Sequence, residues 1–118
     1  MKASELTVGN WVEHDGNIIQ IAAVHKRKIG WHRVPQRLEW VRLSEVDPIA
    51  LTDEIIEKNG FEWDGMIGHG HVKDDIGVAG YKNVYSIWMR GRIGCNVKYV
   101  HELQNVLSLI GEDCNIKL

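Results

Sequence analysis

The sequence predicts an α+β fold: an N-terminal, SH3-like curved antiparallel sheet, a short central helix, and a second β-rich part closed by a C-terminal helix. Three observations predict it. Asp15-Gly16, a strong two-residue hairpin signal, joins two short β-type segments near the start of the chain. A capped helix start follows at Thr52, and an apolar stripe with helical spacing lies between Tyr99 and Ile110.

The N-terminal third of the chain has the two-residue period of β-strands. In NIIQIAAVH, Ile19 and Ile21 fall on one face and Ile18 and Gln20 on the other. In LEWVRL, positions 38, 40 and 42 share one face and positions 39, 41 and 43 the other. Several short strands within about 45 residues are typical of a small, strongly bent sheet or barrel.

The central segment LTDEIIEKNGF predicts a short helix over residues 52–59. Thr52 is placed to be the N-cap, and Leu51 and Ile56 have the spacing of a hydrophobic staple. Gly60 is the natural residue just past the helix end. Residues 61 to 98 are rich in glycine and in β-type segments, of which NVYSIWM is the clearest strand.

The C-terminal helix is predicted to run from residue 99 to residue 110. Its core-facing stripe consists of Val100, Leu103, Val106, Leu107 and Ile110. The same helical periodicity places four residues on the solvent side: His101, Glu102, Asn105 and Ser108.

Composition limits the class of protein. A chain of 118 residues predicts a single domain, divided into a β-barrel-like part (1–50) and the remainder (51–118). No apolar run approaches the roughly 18 residues of a membrane helix, and the start lacks a signal-peptide core. Cys95 and Cys114 lack the spacing of a zinc site or disulfide framework, so we expect a cytoplasmic protein. Because a long apolar run is missing, we expect no membrane contact.

The charge is unevenly distributed. Residues 25–42 carry a local charge of +5, although the chain carries −2. Such a segment provides a directed field that affects encounter and orientation rather than the fold. The predicted binding residues are Lys26, Arg27, Lys28, Trp31, Arg33 and Arg37.

Two kinds of partner fit this segment. Trp and Arg are enriched at the energetic centres of protein interfaces, which favours a protein partner or a homo-oligomer. Lys and Arg also neutralise phosphates, and Trp31 or Trp40 could stack on a base, which leaves a nucleic acid or nucleotide open. A third alternative is that the charges only keep a hairpin soluble. The sequence favours a non-enzymatic binding or adaptor protein with a protein partner.

A second, weaker candidate is the run GHGHVKDD. On a strand, His69 and His71 would point to the same face and provide half of a metal site, with Asp74 or Asp75 nearby. This pattern keeps a metal-dependent enzyme as an alternative. We recognise no motif for a catalytic nucleophile, a phosphate loop or a cofactor, so the expectation is a protein that is not an enzyme.

Three phrases resemble a known group of sequences. MKASELTVGNWV, DPIALTDEIIEKNGFEW and YVHELQNVLSLIGEDCNIKL stand at residues 1–12, 47–63 and 99–118. They resemble phrases of small uncharacterised proteins encoded by phages and mobile elements of gut bacteria, for which no activity is known. The resemblance implies an accessory role in a phage or mobile element and assigns a function to no residue.

Overall fold

The computed structural model describes residues 1–64, 70–89 and 92–118 and confirms the α+β class. In chain order its elements are β1 (Trp11–His14), β2 (Asn17–His25), β3 (Lys28–Val34), β4 (Arg37–Arg42), α1 (Asp53–Lys58), β5 (Glu62–Asp64), β6 (Gly70–Lys73), β7 (Ile76–Tyr81), β8 (Val84–Met89), β9 (Arg92–Val97) and α2 (Val100–Leu109). The chain forms two compact units. The first consists of Met1–Ile49 and Tyr99–Asn115, and the second of Ala50–Lys98 and Ile116–Leu118.

The first unit contains a four-stranded antiparallel meander. Strands β1 to β4 pair in chain order, so each strand lies beside its neighbours in sequence. Asp15 and Gly16 both have positive φ, as the predicted two-residue turn requires. Register shifts interrupt β2 after Ile21 and β3 after His32, and such bulges bend a sheet. An SH3-like closure of this sheet stays a prediction.

Alternation separates the two faces of this sheet as the sequence predicts. The core of the unit includes Val12, Ile19, Ile21, Ile29 and Val41, all buried. Burial of each such side chain stabilises the fold by about 1.5–3 kcal/mol. On the outer face, Ile18, Leu38 and Trp40 are exposed.

Helix α2 completes the first unit. The sequence predicts that this helix closes the second β-rich part, but the structure groups it with the N-terminal sheet. Polar side chains contribute to this attachment. The Gln104 side chain accepts a hydrogen bond from the Trp11 N–H and donates to the carbonyls of Gly9 and Cys114.

His101 corrects the expectation for the solvent side of α2. Its side chain is only 2% exposed. The imidazole stacks on the Tyr99 ring with 5.9 Å between ring centres, so it packs as an aromatic ring. Helical periodicity missed this because an imidazole is ranked as polar, whereas its ring can pack like an aromatic side chain.

The second unit contains α1 and a five-stranded antiparallel meander of β5 to β9 in chain order. The Thr52 hydroxyl accepts a hydrogen bond from the Ile55 N–H at 3.2 Å, and Gly60 has a φ of +88°. Both predicted ends of the central helix are therefore confirmed. A Cβ at Gly77 would overlap the Trp88 ring, so glycine is required for this cross-strand packing.

Within residues 1–64, 70–89 and 92–118, no helix combines the length and the apolar character that a transmembrane span needs.

Candidate functional site

Three of the six predicted binding residues lie at the connection between β2 and β3. His25 and Lys28 are opposite each other at the strand ends, and Lys26 and Arg27 form the turn between them. Lys26 adopts a φ of +45°, in the left-handed region. The Arg27 carbonyl accepts a hydrogen bond from the Leu43 N–H at 2.9 Å, which ties the turn to the residue that follows β4.

This turn forms one wall of a cleft of about 880 Å³ in the first unit, which we call the basic cleft. Its basic side chains are Lys2, Lys26, Arg27, Lys28 and Arg42, and His25 lies beside them. Met1, Ala3 and Leu43 add apolar surface. No acidic side chain is present among the described residues that line it. The cleft is therefore suited to a negatively charged ligand that also offers an apolar group.

The backbone register concentrates the charge. Lys28 lies directly opposite Arg42 across β3 and β4, and directly opposite His25 across β3 and β2. Like charges in directly opposite positions destabilise a sheet. An anion held by both Lys28 and Arg42 would remove this repulsion. Lys28 and Arg42 therefore present two positive side chains from neighbouring strands at directly opposed positions.

Trp40 lies next to the basic cleft. Its side chain is 48% exposed, and the Lys28 ammonium is 5.7 Å from the centre of its ring. The His25 ring approaches the Trp40 ring edge-on, with 6.5 Å between ring centres. The outer face of the sheet therefore presents an aromatic surface flanked by two groups that also line the cleft.

The structure separates the other predicted residues from this cleft. Trp31 is half-buried against the core of the first unit. Arg33 forms an exposed ion pair with Glu39 at 3.3 Å. Arg33 and Arg37 flank the β3–β4 turn, and Arg33 stands roughly 16 Å along β3 from Lys28 at about 3.3 Å per residue. The six residues therefore do not form one surface.

The second candidate, the histidine pair, is described only in part. His69 lies outside the described residues. His71 is a buried residue of β6, and its Nε2 is 2.9 Å from a carboxylate oxygen of Glu57. Among the described residues, no group of three or more His, Cys, Asp or Glu side chains is arranged to hold a metal ion.

Sequence reasoning did not select Lys2, His25 and Arg42 as binding residues. Lys2 is distant in sequence and joins the site only through the fold. Arg42 was visible in the sequence as part of the +5 segment. Its place on the same strand face as Trp40 was the signal that could have selected it.

Comparisons with protein-family models, with curated proteins and with solved structures find no match for this chain. The function is therefore inferred from the chemistry of the site.

Proposed function

We propose that the protein is a non-enzymatic binding protein whose basic cleft holds an acidic segment of a protein partner. The observation that carries the proposal is the opposed pair Lys28 and Arg42, since their repulsion is relieved when a carboxylate lies between them. In line with the resemblance, the role is accessory to a phage or mobile element. We expect the protein to act in the cytoplasm, where the thiols of Cys95 and Cys114 stay reduced.

A short acidic protein segment suits this site better than a long polyanion. The chain outside residues 25–42 carries a charge of −7, which repels an extended nucleic acid beyond the cleft. Arg33 is paired with Glu39, and Trp31 is packed on the core, so fewer groups are available for phosphates and bases than the sequence suggested. The apolar side of the cleft, with Ala3 and Leu43, would receive an aliphatic side chain of the partner.

The test uses a labelled peptide of glutamates with one central leucine, titrated with the full chain by fluorescence anisotropy. Replacement of Lys26, Arg27 and Lys28 by Ala is expected to weaken binding by about tenfold or more. A tenfold loss corresponds to about 1.4 kcal/mol of binding free energy, and a few charge-assisted hydrogen bonds to the peptide can contribute that much. The melting temperature should change by only a few degrees, since exposed charges contribute little to stability.

A charge-matched control separates the cleft from the net charge. Replacement of Lys58, Lys82 and Lys117 by Ala removes the same charge from exposed positions outside the cleft. Equal losses in both triple variants would show non-specific attraction and contradict the proposal. Unfolding of the Lys26/Arg27/Lys28 variant would show instead that the turn is structural.

A nucleic acid is the second candidate, and the observation that favours it is the exposed Trp40 beside Lys28. An aromatic side chain next to a cation can stack on an unpaired base. Labelled oligothymidylate is therefore titrated in parallel, at about 50 and 200 mM salt, where counterion release predicts a steep loss of affinity. Tighter binding of this oligonucleotide than of the peptide, lost in Trp40→Ala, would replace the protein-partner proposal.

A further inference from the structure

The second unit contains a smaller cleft of about 330 Å³ with a different chemical character. It lies between the first residue of α1, Asp53, and one end of the sheet, where Trp63 of β5 and the β7–β8 turn contribute. The described side chains that line it include no aliphatic one. Apart from Gly80, its described lining residues carry an aromatic ring or a polar or charged group.

Two aromatic side chains of this cleft are unusually exposed. Trp63 is 62% exposed and Tyr81 is 74% exposed. Large aromatic side chains bury much of their surface in most folded proteins, so an exposed pair at a cleft is informative. Each therefore presents much of its ring surface to solvent at the cleft.

The groups behind these rings are held in place. His71 is buried, its Nε2 bonded to the Glu57 carboxylate, and its ring meets the Trp63 ring edge-on with 5.4 Å between centres. The Tyr85 hydroxyl donates to the Asp53 carboxylate at 2.8 Å. Burial and the neighbouring Asp53 raise the pKa of Tyr85 to about 12, so this donor stays protonated even well above neutral pH. A preorganised site of this kind loses little entropy on binding.

The bond from Tyr85 leaves acceptor capacity on Asp53. A carboxylate has about four lone-pair sites, and the hydroxyl of Tyr85 uses one of them. Asn83, in the turn after β7, adds an amide that can both donate and accept. The cleft can therefore bond several hydroxyl groups of one ligand.

The charges of the cleft are balanced. Asp53 carries −1 and Lys82 carries +1, and the ammonium of Lys82 lies 5.4 Å from the centre of the Tyr81 ring. A cationic ligand would meet Lys82, and an anionic ligand would meet Asp53. A neutral ligand with apolar faces and a hydroxylated edge meets neither penalty.

We propose that this cleft binds a neutral sugar, whose ring packs against Trp63 or Tyr81 and whose hydroxyl groups bond to Asp53 and Asn83. A pyranose combines the required features, because its C–H groups form apolar faces and its hydroxyls lie around the edge. This site is separate from the basic cleft, and the two proposals stand or fail independently.

The test uses the full chain labelled with ¹⁵N, titrated with cellotetraose, maltotetraose, a mannose trisaccharide and an N-acetylglucosamine trisaccharide. The signals of the Trp63 indole N–H and the Asn83 amide should shift with at least one of them, at a Kd of about 1 mM or lower. The Trp40 indole signal should not shift, since that exposed tryptophan belongs to the first unit.

Three variants test whether the response comes from this cleft. Trp63→Ala should abolish it without unfolding the protein, because the side chain is largely exposed, and Trp40→Ala should leave it unchanged. Asp53→Asn retains an acceptor for the Tyr85 hydroxyl and should weaken binding by about tenfold, since charged acceptors bond more strongly than neutral ones.

The proposal is overturned if none of the four sugars shifts the Trp63 signal at about ten times that Kd, where a single site is about 90% occupied. It is also overturned if choline or inorganic phosphate shifts this signal and the sugars do not. Retained binding in Trp63→Ala would place the sugar elsewhere on the protein and would equally contradict it.

Discussion

A single histidine shows how packing changes the chemistry of a residue. His101 is buried in the first unit, and its Nδ1 has no hydrogen-bond partner among the described residues. Burial lowers the pKa of His101, because an imidazolium loses its hydration there; Glu102 and Glu5 oppose this shift. The neutral ring is therefore favoured in the folded protein.

This pKa gives a stability prediction for pH. The unfolded chain binds a proton on His101 at a higher pH than the folded chain does, so stability rises with pH in this range. The contribution of His101 is fully present above about pH 7 and is lost as the pH falls through the usual histidine range toward the folded pKa. Urea unfolding between about pH 7 and pH 5 should therefore show a smaller loss of stability for His101→Gln than for the native chain.

Comparison of the two pH profiles cancels the contribution of the other histidines. Parallel profiles would show that His101 titrates alike in both states and would contradict the prediction. The sequence could not have predicted this burial, because His101 itself occupies a helical position that faces solvent by periodicity. Asp15-Gly16 and Thr52 were predictable, since a turn or a cap depends on only a few neighbouring residues.

At the scale of elements, α2 is attached by amides as well as by apolar side chains. Asn105 accepts hydrogen bonds from Thr7 and Asn10 and donates to the Glu5 carbonyl. Gln104, which is buried, bonds to three backbone groups of the same unit. These two neighbours on one helix orient the segment that leads into β1.

Removal of the Gln104 amide should destabilise the protein. Gln104→Ala leaves the Trp11 N–H without its acceptor, and a buried unsatisfied group costs about 1–3 kcal/mol. We expect the free energy of unfolding, measured in urea, to fall by about 2 kcal/mol. The Gly9 carbonyl keeps a second donor, the amide of Gln20.

Gln20→Ala is the matched control, because Gln20 is exposed and makes one bond to the same Gly9 carbonyl. Its replacement should change stability by about 0.5 kcal/mol or less, as surface substitutions usually do. Equal losses of unfolding free energy in the two variants would show that the hydrogen bond from the Trp11 N–H is not the main contribution of Gln104 to stability.

The strands and helices were largely predictable from the sequence, and the placement of α2 was not. Alternation sorted the residues of β2 and β4 onto two faces without deciding which face is the core, and the apolar stripe located α2 to within about one residue at each end. Periodicity reports which face of a helix is apolar but not which sheet covers it. Two of the three polar partners of Gln104, in Gly9 and Trp11, lie about ninety residues earlier, beyond the reach of any local pattern.

At the scale of the whole molecule, the notable property is the distribution of charge: a protein with a net negative charge carries a basic cleft. The local run predicted Lys26, Arg27 and Lys28 together, because neighbours in sequence on one turn stay neighbours in space. It could not predict that Lys2 lines the same cleft. Nor could it predict that Arg33 and Arg37 lie toward the other end of the β3–β4 hairpin. Those facts depend on the path of the chain between them.

The same charge distribution predicts weak self-association. Sedimentation velocity at about 10 mM salt, where the Debye length is about 30 Å, should show an average mass that rises with protein concentration. At about 150 mM salt, where that length is about 8 Å, the attraction is screened and the mass should be that of the monomer. The Lys26/Arg27/Lys28 triple alanine variant should stay monomeric at both.

A mass independent of salt and of the variant would show that the basic cleft does not meet the acidic surface of another copy. A stable dimer at the higher salt would point to an apolar interface instead.

The division of the first unit between the two ends of the chain has a consequence for synthesis. The Val100 N–H bonds to the Ile49 carbonyl at 2.9 Å, so the chain leaves this unit and re-enters it at adjacent residues. A ribosome releases β1 to β4 first, yet the Gln104 amide that holds Gly9 and Trp11 emerges only after all of Ala50–Lys98. During synthesis the N-terminal sheet is therefore complete in sequence before the helix that joins it has emerged, and the second unit in turn awaits Ile116–Leu118.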